Sequence, residues 1–218
     1  QKQLGKLDAV IVASEIDRNY EGSVHNAFIP ADRVIAAMRK GPADVIPHGG
    51  LRVGVDVARF GDDKCSIVFR RGRVMLKKVT FGKLDVVQVA SRVRVEVLAF
   101  REEPEQIAID VVNMGAGVAD ICRGWWPDSP VPRTGKTKKI VVDVNASLRM
   151  KNGQHYNLRA FMWSEMREWL LTGSMPNDDD MKTQMTSIQY SYKGGELLLE
   201  SKDDAKARGV KSPDDADA

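Results

Sequence analysis

The sequence predicts an α/β protein built on one mixed sheet, an antiparallel three-strand meander plus parallel strands, flanked by helices. Three observations carry that expectation. From Leu51 onward three strand-like runs, "LRVGVDV", "KCSIVFRR" and "RVMLKKVTF", follow one another with only tight turns between them. Beyond them helical and strand-like patterns alternate, the order that brings parallel strands into one sheet through helical crossovers. Finally, 43% of the 218 residues are hydrophobic, enough to bury a core of ordinary domain size.

Taken in order, residues 1–49 read as a linker segment and 50–218 as the main domain. Within the first part, "FIPADRVIAAMRK" predicts a short amphipathic helix beginning after Pro30, and "GPADVIPHGG" is rich in turn formers. The meander strands turn at Asp62–Asp63 and at Arg71–Gly72. "LDVVQVASRVRVEVLAF" places Val86, Val89, Val93 and Val97 at helical spacing, against the weak helix preference of its β-branched residues. "EQIAIDVV" predicts a buried strand, "GAGVADICRGWW" a helix and "KKIVVDV" a further strand. "NLRAFMWSEMREWLLTG" predicts an amphipathic helix stopped by Gly173. Asp178–Asp180 mark a polar helix start, and "SIQYSYKGGELLLESK" a hairpin turning at Gly194–Gly195. "KSPDDADA" predicts a last helix with Ser212 as N-cap, Pro213 first in the helix and Asp215 bonding back to the cap.

Lys and Arg number 33 against 30 Asp and Glu, a formal net charge of +3, which permits a nucleic-acid partner without requiring one. Cys65 and Cys122 form no CxxC, no apolar run reaches membrane-spanning length, and the first residues lack a signal-peptide layout. A reduced, cytosolic setting away from membranes is expected. Trp126, Trp163 and Trp169 read as core, and His25, His48 and His155 as surface or packing residues.

The chemistry lies in the carboxylates. Asp56 and Asp110 each end an otherwise apolar strand, where an unpaired charge is expensive. If the first and fourth strands are parallel neighbours, these two acids emerge side by side at the strand ends, where open sheets commonly bind ligands. One reading pairs each with a cation, Arg59 or Lys138 for example. The other makes them half of a hard-cation site completed by "SPDDADA", where Asp214 and Asp217 share a helix face. Neither Cys nor His falls at ligand spacing, so an all-oxygen site suits Mg2+ or Mn2+ and not zinc.

Four blocks, "VGVDVARFGDDKCSIVFRRG", "IAIDVVNMGAGVAD", "YNLRAFMWSEMREWL" and "LLLESKDDAKARGVKSPDDADA", spread from Leu51 to the last residue. In that order they resemble the nuclease domain of the tailed-bacteriophage terminase large subunit, a ribonuclease-H-like fold. "EIDRNYEGS" and "FIPADRV" are similar to the segment that joins that family's packaging ATPase to its nuclease. The motor is expected to be absent from this chain, because a phosphate-binding loop at "PRTGKTKK" needs glycine five residues before Gly135, where Pro130 stands.

The resemblance implies a metal-dependent endonuclease that cuts concatemeric double-stranded DNA during genome packaging in the cytoplasm of an infected bacterium. It implies two Mg2+ or Mn2+ ions, with Asp56 bridging them, Asp110 and Asp214 each holding one, and Asp215 a lesser ligand, so that the acids of the last helix rank Asp214 first, Asp215 second and Asp217 third. The portal protein and the small terminase subunit are its implied partners. Arg59, Lys64, Lys136 and Lys138 are candidates for DNA phosphates. A junction resolvase or hybrid nuclease of the same fold is the rival enzyme, and an inactive DNA- or portal-binding module the rival from another class.

Overall fold

The computed structural model describes residues 27–41, 43–58, 64–82, 84–112, 114–131 and 136–218. The Asp62–Asp63 turn, Arg59 and His25 lie outside the described residues.

A five-stranded sheet in the order β3-β2-β1-β4-β7 forms the centre. Its strands are β1 (Arg52–Asp56), β2 (Cys65–Arg71), β3 (Val74–Phe81), β4 (Gln106–Asp110) and β7 (Val141–Val144). β1 is antiparallel to β2 and parallel to β4, β2 is antiparallel to β3, and β4 is parallel to β7. This is the mixed sheet that the alternation of patterns predicts, a meander on one side and crossover strands on the other.

Alternation along the strands separates two faces. On one, Val53, Val55, Ile67, Phe69, Ile107 and Ile109 are buried against Val89, Val93 and Val97 of α2 (Val86–Leu98) and Val118 and Cys122 of α3 (Gly115–Trp125). Each fully buried side chain of this kind contributes roughly 1.5–3 kcal/mol. α2 forms despite its valines because Asp85 and Gln88 close a capping box. Gln88 N donates to Asp85 Oδ1 at 2.8 Å, and Asp85 N donates to Gln88 Oε1 at 3.0 Å.

The opposite face carries α4 (Leu158–Thr172), α1 (Ala31–Arg39) and α5 (Asp179–Ser187), whose shared core includes Val34, Ala37, Trp163, Leu170, Met181 and Met185. Asn157 caps α4 and Asp178 caps α5, each accepting from the backbone N–H three residues on. Phe28 and Ile29 are buried here too, so the described part of the 1–49 segment packs onto the same body as 50–218. The hairpin β8 (Tyr190–Lys193) and β9 (Glu196–Leu199) turns on Gly194 and Gly195, with φ of 61° and 82°.

One local expectation holds, two elements are new and one helix boundary moves. Gly173 ends α4 with φ −78°, so no left-handed cap is needed there; a Cβ would instead meet the Trp169 ring at 2.6 Å. A short antiparallel ladder pairs β5 (Ser129–Pro130) with β6 (Thr137–Lys138). A helix the sequence reading missed, α6 (Lys202–Ala207), follows β9 and is capped by Ser201. The last helix, α7 (Asp214–Asp217), starts one residue later than expected, with Pro213 in the cap position and no side-chain cap from Ser212.

Candidate metal centre

The site grows from register. Val55 lies opposite Ile109 in the parallel pair β1–β4, so the next positions along, Asp56 and Asp110, end the two strands side by side. Across the antiparallel pairs Asp56 is opposite Ser66, and Ser66 is opposite Thr80. A polar row therefore runs over one face of the sheet, and burying it is favourable only if each group finds a partner.

α7 lies across that row. Gly54 lets it come close: a Cβ there would meet the Ala218 carbonyl oxygen at 1.6 Å. Asp214 Oδ2 accepts from the Lys64 backbone N–H at 3.0 Å, and its Oδ1 accepts from Ser212 Oγ. Asp217 Oδ1 accepts from Trp163 Nε1 at 2.8 Å and from Arg159 Nε at 3.0 Å. Asp217 Oδ2 is buried without a hydrogen bond.

Lys202, on the first turn of α6, completes the cluster. Its Nζ is 2.8 Å from Asp56 Oδ2, 3.2 Å from Asp214 Oδ1 and 3.3 Å from Asp217 Oδ2. Asp56 is 5% exposed. Burial chiefly, against the pull of Lys202 and with the push of Asp217 and Asp214, raises its carboxyl to about 7. Burial opposes the charge on Lys202, but Asp217, Asp56 and Asp214 outweigh it and hold the ammonium above its ordinary value. Asp110 is also raised by burial, against a hydrogen bond at 3.1 Å from the Val112 N–H to its Oδ1 and the pull of Lys202.

Asp215 points elsewhere. It accepts from Ser66 Oγ and Thr80 Oγ1, both at 2.7 Å, from Lys78 Nζ at 2.8 Å and from Gln184 Nε2 at 2.9 Å. Burial acts against its charge, yet Lys78, Ser66 and Thr80 prevail and hold the carboxyl below its ordinary value. Its lone pairs are thus spent on the sheet and α5 and not on a return bond to the cap.

The structure therefore brings Asp56, Asp214 and Asp217 onto one ammonium, with Asp110 at the adjoining strand end, and turns Asp215 away. Among the described residues no three His, Cys, Asp or Glu side chains are gathered closely enough to hold a metal ion as they stand. The carboxylates close on Lys202 instead. The donor set nonetheless fits a hard divalent cation: every candidate ligand is oxygen, an ammonium already fills a cation's role, and the buried Asp217 Oδ2 faces that ammonium at 3.3 Å without a hydrogen bond. Asp56, Asp110, Asp214 and Asp217 are the side chains of this cluster that could hold one.

Of the candidate phosphate contacts, Lys64 adjoins the cluster through its backbone bond to Asp214. Lys138 lies in β6 and Lys136 just before that strand, both exposed. Trp126 and Trp163 are buried as expected, and Trp163 also braces Asp217. His155 bonds Ser164 Oγ at 2.9 Å, a packing role.

A scan against protein-family models and a search of curated protein sequences each return no match. Solved structures do match. The nuclease domain of the large terminase subunit gp2 of bacterial virus Sf6 superposes with a TM-score of 0.72 at 18% identity, covering 88% of this chain and 96% of that one. A mutant of that domain with manganese gives 0.70 at 17% identity, and one with calcium gives 0.71 at 18%, each covering the same shares of both chains. The chain carries the ribonuclease-H-like fold of these phage terminase nuclease domains.

Proposed function

We propose that this chain is the DNA-cutting domain of a phage packaging machine, a metal-dependent endonuclease that hydrolyses phosphodiester bonds of double-stranded DNA with two Mg2+ or Mn2+ ions. The observation that carries the reading is the convergence of Asp56, Asp214 and Asp217 on one cation, at a strand end shared with Asp110. The fold likeness to the Sf6 domain, and the manganese bound to a mutant of that domain, support it.

Asp56 would be the central ligand in this reading, because it ends the central strand between Asp110 on β4 and the acids of α7. Asp110 and Asp214 flank it on either side. Trp163 and Arg159 fix the orientation of Asp217 so that its second oxygen stays aimed at the cluster. Lys202 offsets the mutual repulsion of the acids until divalent ions take over that task. Such ions, when bound, supply hydroxide at neutral pH and stabilise the leaving 3′ oxygen. Lys64, Lys136, Lys138 and Arg59 are assigned to duplex phosphates, and the portal protein and small terminase subunit, in the host cytoplasm, to controlling when the cut is made.

Purified protein incubated in Mn2+ with supercoiled plasmid, a four-way junction and an RNA–DNA hybrid tests the substrate. Nicking and linearisation of plasmid at a rate at least equal to the others is expected. Selective cleavage of the junction or the hybrid would move the protein to a resolvase or hybrid nuclease. Binding without any cleavage would make it a docking module.

A further inference from the structure

α7 is four residues long and has no side-chain cap of its own. A single turn of this kind is unstable in isolation, because nucleation fixes several residues for one hydrogen bond. Its cap comes from another helix. Gln184 of α5 accepts the Asp215 N–H at 2.8 Å and the Ala216 N–H at 3.3 Å on Oε1, and donates from Nε2 to Asp215 Oδ2 at 2.9 Å. A second connection closes a ring: Lys78 Nζ is 2.8 Å from Asp215 Oδ2 and 2.8 Å from Asp178 Oδ2, and Asp178 is the N-cap of the same α5.

This ring fixes both the rotation and the depth of α7. Asp214 and Asp217 are three residues apart and share a helix face, so holding Asp215 against β2, β3 and α5 turns the other two toward Asp56. Neither Gln184 nor Lys78 touches Asp56, Asp214 or Asp217 in any hydrogen bond of the cluster.

We propose that Gln184 is a positioning residue for the metal-holding acids, acting through the ring Asp178–Lys78–Asp215–Gln184, so that α5 sets the affinity of the site for divalent cations. The proposal rests on the metal reading above. Removing supports of this kind behind metal ligands commonly weakens affinity by about 10–100-fold.

Three variants of the full chain test it: Gln184→Ala, Lys78→Met, and Val34→Ala as a control that removes packing from the same core without touching the ring. Mn2+ binding is titrated by electron paramagnetic resonance, and amide exchange is followed at Asp215 and Ala216. Gln184→Ala should weaken Mn2+ binding by roughly 10-fold or more and speed exchange of both amides. Lys78→Met should act in the same direction, and Val34→Ala should lower Tm while leaving the Mn2+ midpoint unchanged. Wild-type Mn2+ affinity in folded Gln184→Ala and Lys78→Met overturns the proposal, as does an equal loss of affinity in Val34→Ala. Failure of the wild-type chain itself to bind Mn2+ overturns the metal reading, and this outcome is distinguished by unchanged, slow exchange at Asp215 and Ala216.

Discussion

Lys202 Nζ lies 2.8 Å from Asp56 Oδ2 across 146 residues of sequence, so a lysine that opens α6 donates to the acid that ends the central strand. In the proposed metal site it would compete with a divalent cation. Lys202→Ala is expected to leave Asp56, Asp214 and Asp217 repelling one another, lowering the Tm of metal-free protein by at least about 3 °C. The same variant should gain more Tm from Mn2+ than wild type does. Differential scanning calorimetry with and without Mn2+ checks both; a smaller Mn2+ shift in the variant would argue against the competition.

Asp56→Asn should raise the stability of metal-free protein, and the gain should depend on pH. In the folded chain Asp56 keeps its proton up to about 7, against an ordinary value of 3.8. Between those values the folded state binds more protons than the unfolded one, so stability falls as pH rises. Lys202 is charged throughout this window and adds no slope. The difference in Tm between Asp56→Asn and wild type should therefore widen from about pH 4 to about pH 7, then level. A gap that is constant over this range would show that burial does not govern this carboxyl.

The three acids of α7 should separate by phenotype. Asp214→Ala is expected to lose Mn2+-dependent nicking almost completely with little change in Tm. Asp215→Ala strips Ser66, Thr80, Lys78 and Gln184 of a shared acceptor and should show the largest fall in Tm of the three. Asp217→Ala should reduce nicking more than the sequence ranking implies, because its Oδ2 faces Lys202. Equal nicking by Asp214→Ala and wild type would remove Asp214 from the site.

Much of this arrangement is legible in the sequence for a local reason. Asp56 and Asp110 stand out because each interrupts an apolar strand at its last position, and parallel pairing of those strands makes their proximity a matter of register. Lys202 has no such signal. It sits in the polar run "ESKDDAKARG", where a lysine on a short capped helix looks like any solvated residue. Gln184 is equally silent, and its bond to α7 explains why Ser212 fails as a cap: the N–H groups of Asp215 and Ala216 are already taken by another helix. Local pattern gives the elements and their acids, whereas the cations and amides that meet them across the fold depend on tertiary packing.

DNA binding should be driven by phosphates, since no recognition helix or base-reading motif stands out and the candidate contacts are lysines and an arginine. Affinity for duplex DNA, measured by fluorescence anisotropy in EDTA, is expected to fall steeply between about 50 and 200 mM salt and to vary little with sequence. A shallow salt dependence, or strong preference for one sequence, would require base contacts that this reading does not contain.

The acids around Asp56 are proposed to cut DNA with divalent metal. Supercoiled plasmid incubated with wild type and with Asp56→Asn, each in EDTA, Mg2+ and Mn2+, tests it most directly. Wild type should nick in Mn2+ or Mg2+ and not in EDTA, while folded Asp56→Asn should leave the plasmid supercoiled in every lane. Nicking by Asp56→Asn at a rate near wild type in Mn2+, or by wild type in EDTA, would contradict the account.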